Sequence, residues 1–265
     1  MIQSKHSDAL KKSDKDNNVG KIVKQTLLII ALTSIFGGNV FADNNSDTPT
    51  VSKSTTSQAR KATWVVTATI PCLPTSPCFT VKDTTTKLMN AIDKASSQTQ
   101  AIADITTIAS PQFDFRLMTK YALGNNWKLA TKQQQAQLVG LFTQLLQFTY
   151  SMALSKFEGA QITLTDSTTN PTNNPNNFTA AVVSQVLLPN NNATTKNQAV
   201  KVEYDLVSYN KQPWRAYDIK IEDTSLVTTY RNQFNDVVQN QKIAGLIKQL
   251  QTKVDSLSTK NVTQN

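Results

Sequence analysis

The sequence predicts a single α+β domain in which helices cover one face of a curved antiparallel sheet of about four to five strands. Two observations predict this class. Helical patterns fill the chain from Asp83 to Phe157, and strand patterns with non-helical links follow from Ala160 to Ile221. A further capped helical pattern begins near Thr224. Helices, then a meander of strands, then helices again are typical of a layered α+β fold.

The start of the chain has the pattern of a signal peptide. Lys21 and Lys24 precede an apolar run from Thr26 to Phe36, and Ala42 is the small residue at the cleavage position. The run is too short to span a bilayer comfortably, and no cysteine directly follows Ala42 as a site for a lipid anchor. We therefore expect export with cleavage after Ala42; a retained membrane anchor is the alternative.

Four segments are expected along the chain. They are a signal peptide at 1–42, a flexible N-terminal segment with a disulfide loop at 43–82, one α+β domain at 83–258 and a disordered tail at 259–265. Removing the first 42 of the 265 residues leaves 223, which is enough for one domain with a sizeable core.

Charge and histidine content restrict the function. The net charge is +9, and losing six lysines and three aspartates with the signal peptide leaves +6. A basic exported protein rarely meets nucleic acid, so anionic lipid headgroups or acidic proteins fit the charge better. Keeping the protein soluble is an equally good explanation. The only histidine, His6, lies in the signal peptide, which excludes Ser-His-Asp, Cys-His and histidine metal sites from the exported chain.

The two cysteines, Cys72 and Cys78, stand in the segment PCLPTSPC. In an oxidising compartment they predict a disulfide that closes a small loop stiffened by prolines. A reactive pair is the alternative. The five residues between the cysteines do not match the C-x-x-C spacing of redox enzymes, which favours the disulfide.

Three helices are predicted before the main strands. The first covers 83–108, and the second begins at Ser110-Pro111 and ends at Gly124. The third helix is capped by Thr131 and ends at Gly159. Its apolar stripe is wider than packing against one sheet face requires. That apolar stripe contains Leu138, Leu141, Phe142, Leu145, Leu146, Phe148, Met152, Ala153 and Phe157. Much of it belongs in a core, and the rest could form a cavity wall.

Strands and further helices complete the pattern. Strand composition occurs at 62–70, 160–165, 178–188, 200–206 and 216–221, with Asn-, Thr- and Pro-rich hairpin loops expected at 166–177 and 189–198. Asp223 or Thr224 is expected to cap a helix that ends near Asn240, with Glu222 and Asp223 at its positive end. Ile243 begins a last helix, which frays from Asp255.

No catalytic constellation stands out in the sequence. Asp114 and Asp218 are each flanked by aromatic residues and could form a carboxylate pair. The stronger interpretation is that Asp114 caps a helix and that Asp218 points outward from a strand. Arg231 could reach a phosphate at a pocket mouth or form a structural ion pair. No cofactor and no metal site is expected.

Three segments carry a family resemblance. They are FDFRLMTKYALGNNWKLATKQQQ at 113–135, FTQLLQFTYSMAL at 142–154 and WRAYDIKIEDTSLVTTYRNQF at 214–234. In this order, after a signal peptide, they resemble the MlaC family of periplasmic phospholipid-binding proteins, the toluene-tolerance auxiliary components. The resemblance extends over about 83–250. The chain departs from the family pattern at Asp223-Thr224, where the family tends to have Gly-Val before the serine.

The resemblance implies an NTF2/cystatin-like fold with an apolar cavity between its layers, in a soluble periplasmic carrier acting as a monomer. The acyl tails of a phospholipid would occupy the cavity, with the headgroup near its mouth. The implied partners are an outer-membrane lipoprotein–porin complex and an inner-membrane ABC transporter complex bearing an MCE-domain protein. Lipid would be shuttled between them to maintain outer-membrane asymmetry. Neither enzymatic activity nor a nucleic-acid partner is implied.

An apolar lining is the only set of residues carried over from the family. It comprises Phe115, Leu123, Phe142, Leu145, Tyr150, Val202, Tyr204, Tyr217, Ile219, Leu226 and Tyr230, with Arg231 as a candidate at the headgroup end. Which face of each strand points toward the cavity is left undetermined, since a shift of one residue in the strand register exchanges the two faces. Two competing functions are a periplasmic hydrolase using carboxylates or a Ser-Lys pair and a protein-interaction module with a filled core. The missing histidine weighs against the first, and the resemblance weighs against the second.

Overall fold

The computed structural model describes residues 64–154, 159–187 and 199–262. Within them lie a six-stranded open curved sheet and five helices, which confirms the α+β class. The strands are β1 Val65–Ala68, β2 Gln161–Pro171, β3 Phe178–Leu187, β4 Ala199–Ser208, β5 Arg215–Ile221 and β6 Thr224–Ser225. The helices are α1 Pro77–Lys94, α2 Gln98–Ala109, α3 Phe115–Leu123, α4 Lys132–Leu154 and α5 Leu226–Val262. The predicted signal peptide, the loop at 189–198 and the helix end at Phe157 lie outside the described residues.

The sheet has one more strand than predicted, and it is not wholly antiparallel. Its order is β1-β2-β3-β4-β5-β6, and β1 pairs with β2 in parallel. β2 is eleven residues long and ends at Pro171, so half of the predicted loop at 166–177 is strand. Irregular register marks two β-bulges, one with the extra residue Thr165 in β2 and one with the extra residue Tyr217 in β5; such bulges bend a sheet and increase its twist.

The first predicted helix is two helices. The expected single helix over 83–108 starts earlier, at Pro77, and is interrupted after Lys94. Ser76 Oγ accepts from the Phe79 amide at 3.1 Å, and Ser97 Oγ accepts from the Gln100 amide at 3.2 Å. The Ser76 cap therefore sets the earlier start, and the Ser97 cap divides a stretch whose apolar spacing resembles one continuous helix.

Side-chain caps also set the bounds of α3 and α4. Ser110 opens only a 3₁₀ turn; α3 begins at Phe115, because the Asp114 carboxylate accepts from the Leu117 amide at 2.8 Å. This confirms the capping interpretation of Asp114. Gly124 ends α3 with φ of 53°, as predicted. Thr131 caps α4 as predicted, and its amide donates in return to the Gln134 side chain at 2.9 Å.

The entry into α5 differs from the prediction. Glu222 and Asp223 form the turn between β5 and β6, with φ of 48° and 65°, so neither lies in the first turn of the helix. Thr224 is part of β6, and Ser225 is the cap, since its hydroxyl accepts from the Thr228 amide at 2.9 Å. The break inside α5 falls at Lys242, not at Asn240.

Asp218 is buried, although the sequence predicts that it points outward. Its exposed fraction is 7%. The carboxylate accepts from the Val227 amide at 3.0 Å and from the Ser225 hydroxyl. It also accepts from the Ile219 amide at 2.9 Å. Asp218 therefore joins β5 to the start of α5, where a negative charge is favoured by the helix dipole.

Three clusters of apolar side chains form the packed interior. The helical cluster joins α3, α4 and α5 around Phe142, Tyr230 and Phe234. A second cluster places Cys78 and Val81 of α1 against the sheet. The third joins α1 and α2 to β2 around Ile105 and Ile162.

The predicted disulfide between Cys72 and Cys78 is present. It closes the loop between β1 and α1. Cys78 has an exposed fraction of 1% and packs in the second cluster with Leu164 and Val182. The disulfide therefore ties a surface loop to the interior of the sheet–helix layer.

Replacing Asp218 by alanine should destabilise the fold by about 3 kcal/mol, because the Ser225 hydroxyl and the Val227 amide lose a charged acceptor at the start of a helix. Denaturant unfolding followed by circular dichroism measures the change. Asp236→Ala, at an exposed position of α5, is the matched control and should stay within about 0.5 kcal/mol of the parent. Equal losses in the two variants would contradict the role given to Asp218.

Replacing both Cys72 and Cys78 by serine should lower the free energy of unfolding by about 2 kcal/mol, from the loop-closure entropy of a short loop. The native protein should show no reactive thiol before reduction. Reductant should destabilise the parent and leave the double variant unchanged. Free thiols in the unreduced protein would refute the disulfide.

Candidate functional site

The predicted lining residues fall into two groups in the structure. Eight of them belong to the helical cluster: Phe115, Leu123, Phe142, Leu145, Tyr150, Tyr217, Leu226 and Tyr230. The other three, Val202, Tyr204 and Ile219, lie on β4 and β5 of the sheet. Within the first group, four side chains are fully enclosed and four are half-buried, whereas all three sheet residues are half-buried.

Four of the helical residues are packed as core. Leu123, Phe142, Leu145 and Tyr230 have exposed fractions of 0–1%. The ring centroids of Phe142 and Tyr230 lie 4.9 Å apart in an edge-to-face arrangement, and Phe142 meets Phe234 at 5.3 Å. Side chains enclosed to this degree offer a ligand no free surface unless the helices separate.

The sheet residues leave an apolar strip that is only half-buried. Tyr204 pairs with Ile219 and Val202 pairs with Ile221 across β4 and β5, so these side chains share one face. Val202, Ile219 and Ile221 are half-buried and pack in none of the three clusters that the described residues form. We call these three residues the sheet strip. Ile221 was not among the predicted lining residues, although its alternation with Ile219 could have indicated it.

The same face of the sheet is closed further along. On β4, Leu206 follows Val202 and Tyr204 on that face, and its exposed fraction is 1%. It packs with Val182 of β3 and Val81 of α1. One sheet face thus changes from covered to accessible along the length of β4.

Tyrosine hydroxyls are buried beside the apolar side chains. Burial, and second the neighbouring Tyr230 phenol, raises the pKa of Tyr150 well above its ordinary value. Burial also raises the pKa of Tyr204, and its hydrogen bond with Ser184 lowers that pKa by a smaller amount. Burial raises the pKa of Tyr217 to about 12, and its ring meets that of Tyr121 at 5.6 Å. These groups stay neutral under ordinary conditions, which suits an apolar surface.

Arg231, the candidate for the headgroup end, has a structural contact. Its Nε donates to the carbonyl oxygen of Tyr121 at 2.7 Å, at the last turn of α3. The side chain is exposed and lies against Gly124, where a Cβ would meet the Arg231 Cδ at 3.4 Å. Its contact with a headgroup stays a prediction.

The side chains considered as catalytic candidates form hydrogen bonds and ion pairs that stabilise the fold. Asp114 caps α3, and Asp218 and Ser225 together hold the start of α5. Lys220 lies between Glu203 and Asp205 at 2.8 and 2.9 Å in an ion-pair network. Among the residues that the structure describes, no group of three or more His, Cys, Asp or Glu side chains could hold a metal ion.

The fold and the candidate site define an α+β protein with a half-buried apolar strip on one face of its sheet. The chain belongs to the MlaC protein family, whose model matches residues 80–252. Among the solved structures that match is a phospholipid-binding protein from Ralstonia solanacearum in complex with a phospholipid. It is 27% identical with a TM-score of 0.53, and the match covers 68% of this chain and 97% of that one. No curated protein matches the chain.

Tyr150 should not ionise in the folded protein near pH 10, where an ordinary tyrosine titrates, because burial favours the neutral phenol. Phenolate absorbance measures this. Tyr150→Phe should leave the folded titration near pH 10 unchanged, whereas in denaturant it should remove one of the six tyrosine contributions. Loss of amplitude near pH 10 in the folded variant would show that Tyr150 is accessible to solvent.

Proposed function

We propose that the protein is a periplasmic carrier that binds the acyl chains of a phospholipid between its sheet and its helices. The observation that carries the proposal is the sheet strip, Val202, Ile219 and Ile221, which is half-buried and apolar in a member of the MlaC family. The similar Ralstonia solanacearum protein, which binds a phospholipid, supports the same ligand class.

Hydrocarbon binding fits the chemistry of this surface. Each methylene group that a ligand buries contributes about 0.8 kcal/mol, so an acyl chain can bind tightly without any directed polar contact. The neutral tyrosines Tyr150 and Tyr204 place weakly polar groups next to aliphatic ones, and neither adds a charge to the surface. Phe115, Tyr217 and Leu226 are half-buried against the helical cluster, and the proposal includes them in the lining.

The full carrier function includes export, partners and a route. We propose cleavage after Ala42 and movement of lipid between an outer-membrane lipoprotein–porin complex and an inner-membrane ABC transporter bearing an MCE-domain protein. The protein would act as a monomer and maintain outer-membrane lipid asymmetry. No helix in the described ranges is both long and apolar enough to cross a membrane.

The carrier would not be an enzyme. Family membership supports binding and transport, and the side chains that could act in a hydrolase, Asp114, Asp218 and Ser225, are hydrogen-bonded to helix starts. A protein-interaction module with a filled core is the other competing function, and it does not account for the half-buried sheet strip.

Protein purified from a periplasm should carry phospholipid in stoichiometric amount, measured by solvent extraction and by native mass spectrometry. Ile219→Asp should lower the occupancy at least tenfold, because it places a carboxylate against hydrocarbon. The matched control is Leu73→Asp, a change of the same kind at a side chain that is 69% exposed. The control should keep the parent's occupancy.

Circular dichroism and thermal melting separate a folding failure from a binding failure in the Ile219 variant. A folded Ile219→Asp protein with full occupancy would overturn the assignment of the strip. A parent protein that carries no lipid and takes up none from added vesicles would overturn the carrier function itself.

A further inference from the structure

Four basic side chains lie on α3, on the segment that follows it and on the first turn of α4. Arg116, Lys120, Lys128 and Lys132 are all exposed. Leu129 stands among them in sequence with an exposed fraction of 67%. We call these five residues the basic tip.

Acidic residues are scarce in the sequence around the basic tip, where Asp114, the cap of α3, precedes Arg116 by two residues. From Phe115 to Phe157 the chain has no aspartate and no glutamate. Within the residues that the structure describes, no carboxylate lies at ion-pair distance from any of the four basic side chains. The Asn126 side chain, between Lys120 and Lys128 in sequence, donates to the Asn235 side chain of α5. The next residue of α5, Asp236, is exposed. The four basic side chains of the tip are therefore not neutralised by ion pairs among the described residues.

The tip is held rigidly by contacts beneath it. The Arg116 guanidinium lies 5.6 Å from the centre of the Trp127 ring, which brings α3 to the segment that carries Lys128 and Leu129. The buried Gln135 side chain donates to the carbonyl oxygens of Trp127 and Ala130 at 2.9 and 3.2 Å. Leu129 lies between Trp127 and Ala130, which are both buried, so the short segment that carries Lys128 and Leu129 is anchored at its two ends.

We propose that the basic tip docks on the surface of a bilayer that contains anionic phospholipid. A large aliphatic side chain surrounded by lysines and arginine combines the two attractions that hold peripheral proteins on such a surface: apolar insertion and attraction to anionic headgroups. An acidic protein would satisfy the charges, but it would give Leu129 no apolar medium to enter. The proposal does not depend on the occupant of the sheet strip.

Co-sedimentation with vesicles tests the proposal. The full exported chain should bind vesicles of phosphatidylcholine and phosphatidylglycerol at low salt and should not bind vesicles of phosphatidylcholine alone. Binding should weaken when the ionic strength is raised from 0.01 to about 1 M, since the Debye length falls from about 30 to about 3 Å. Lys128→Glu with Lys132→Glu should reduce binding by at least 25-fold, from a loss of about fivefold for each basic side chain removed.

The matched control carries the same change in net charge on α1, through Lys87→Glu and Lys94→Glu. These lysines are exposed and belong to the layer that packs on β1, β2 and β3. The layer that contains α1 and α2 meets α4 near the C-terminal end of α4, far from the basic tip. There the Gln147 side chain donates to the hydroxyl of Ser110, the residue after α2, at 2.8 Å. Gln147 lies about 22 Å along the helix from Lys132. The control should bind several-fold more tightly than the tip variant, and Leu129→Ser, with all charges kept, should bind more weakly than the parent.

Three outcomes would overturn the proposal. The first is no binding to anionic vesicles at low salt. The second is equal weakening by the tip and control variants, which would assign the binding to net charge alone. The third is unchanged binding in Leu129→Ser combined with capture of an acidic protein through the tip, which would assign the surface to a protein partner. Because lipid extraction from the parent measures the carrier function separately, failure here leaves that result intact.

Discussion

The Asp218 carboxylate is the contact on which the arrangement of sheet and helices depends. It lies on β5, is buried, and accepts from Ser225 and Val227 at the start of α5. β5, the two-residue turn, β6 and α5 follow each other without a break, so this group fixes where the longest helix leaves the sheet. α5 then carries Val227, Tyr230 and Phe234 into the helical cluster. A buried charge of this kind is retained at a cost in desolvation, which its hydrogen bonds offset.

The sheet strip is left half-buried because two separate groups of helices contact different strands of the sheet. α1 contacts β1, β2 and β3, whereas the helices α3 and α5 contact the sheet through β5. Each cover completes its own cluster, one around Val81 and the other around Phe142. Val202, Ile219 and Ile221 belong to neither. The accessible apolar surface is therefore a consequence of how the covers divide the sheet.

The sequence allowed the fold class, the disulfide and most element types to be predicted, because these follow from local periodicity and cap chemistry. The caps Asp114 and Thr131 and the end at Gly124 are examples in which neighbouring residues decide the outcome. Asp218 was missed because its partners, although only seven to nine residues away, are positioned by a turn in which Glu222 and Asp223 adopt left-handed conformations. The lining was predicted from residue type alone, and residue type does not distinguish the enclosed Leu145 from the half-buried Ile219.

Several polar side chains of this protein stabilise the backbone of the fold. Asp114, Asp218 and Gln135 each satisfy backbone groups that would otherwise be buried without partners. Moving any of them into a reaction would weaken a helix terminus or a turn. The side chains of the sheet strip satisfy no backbone group. Leaving them half-buried loses about 25 cal/mol of hydrophobic stabilisation for each Å² that a filled core would have covered. Under the proposed function a bound acyl chain restores that stabilisation, so the stability of the fold and its occupancy by lipid would rise together.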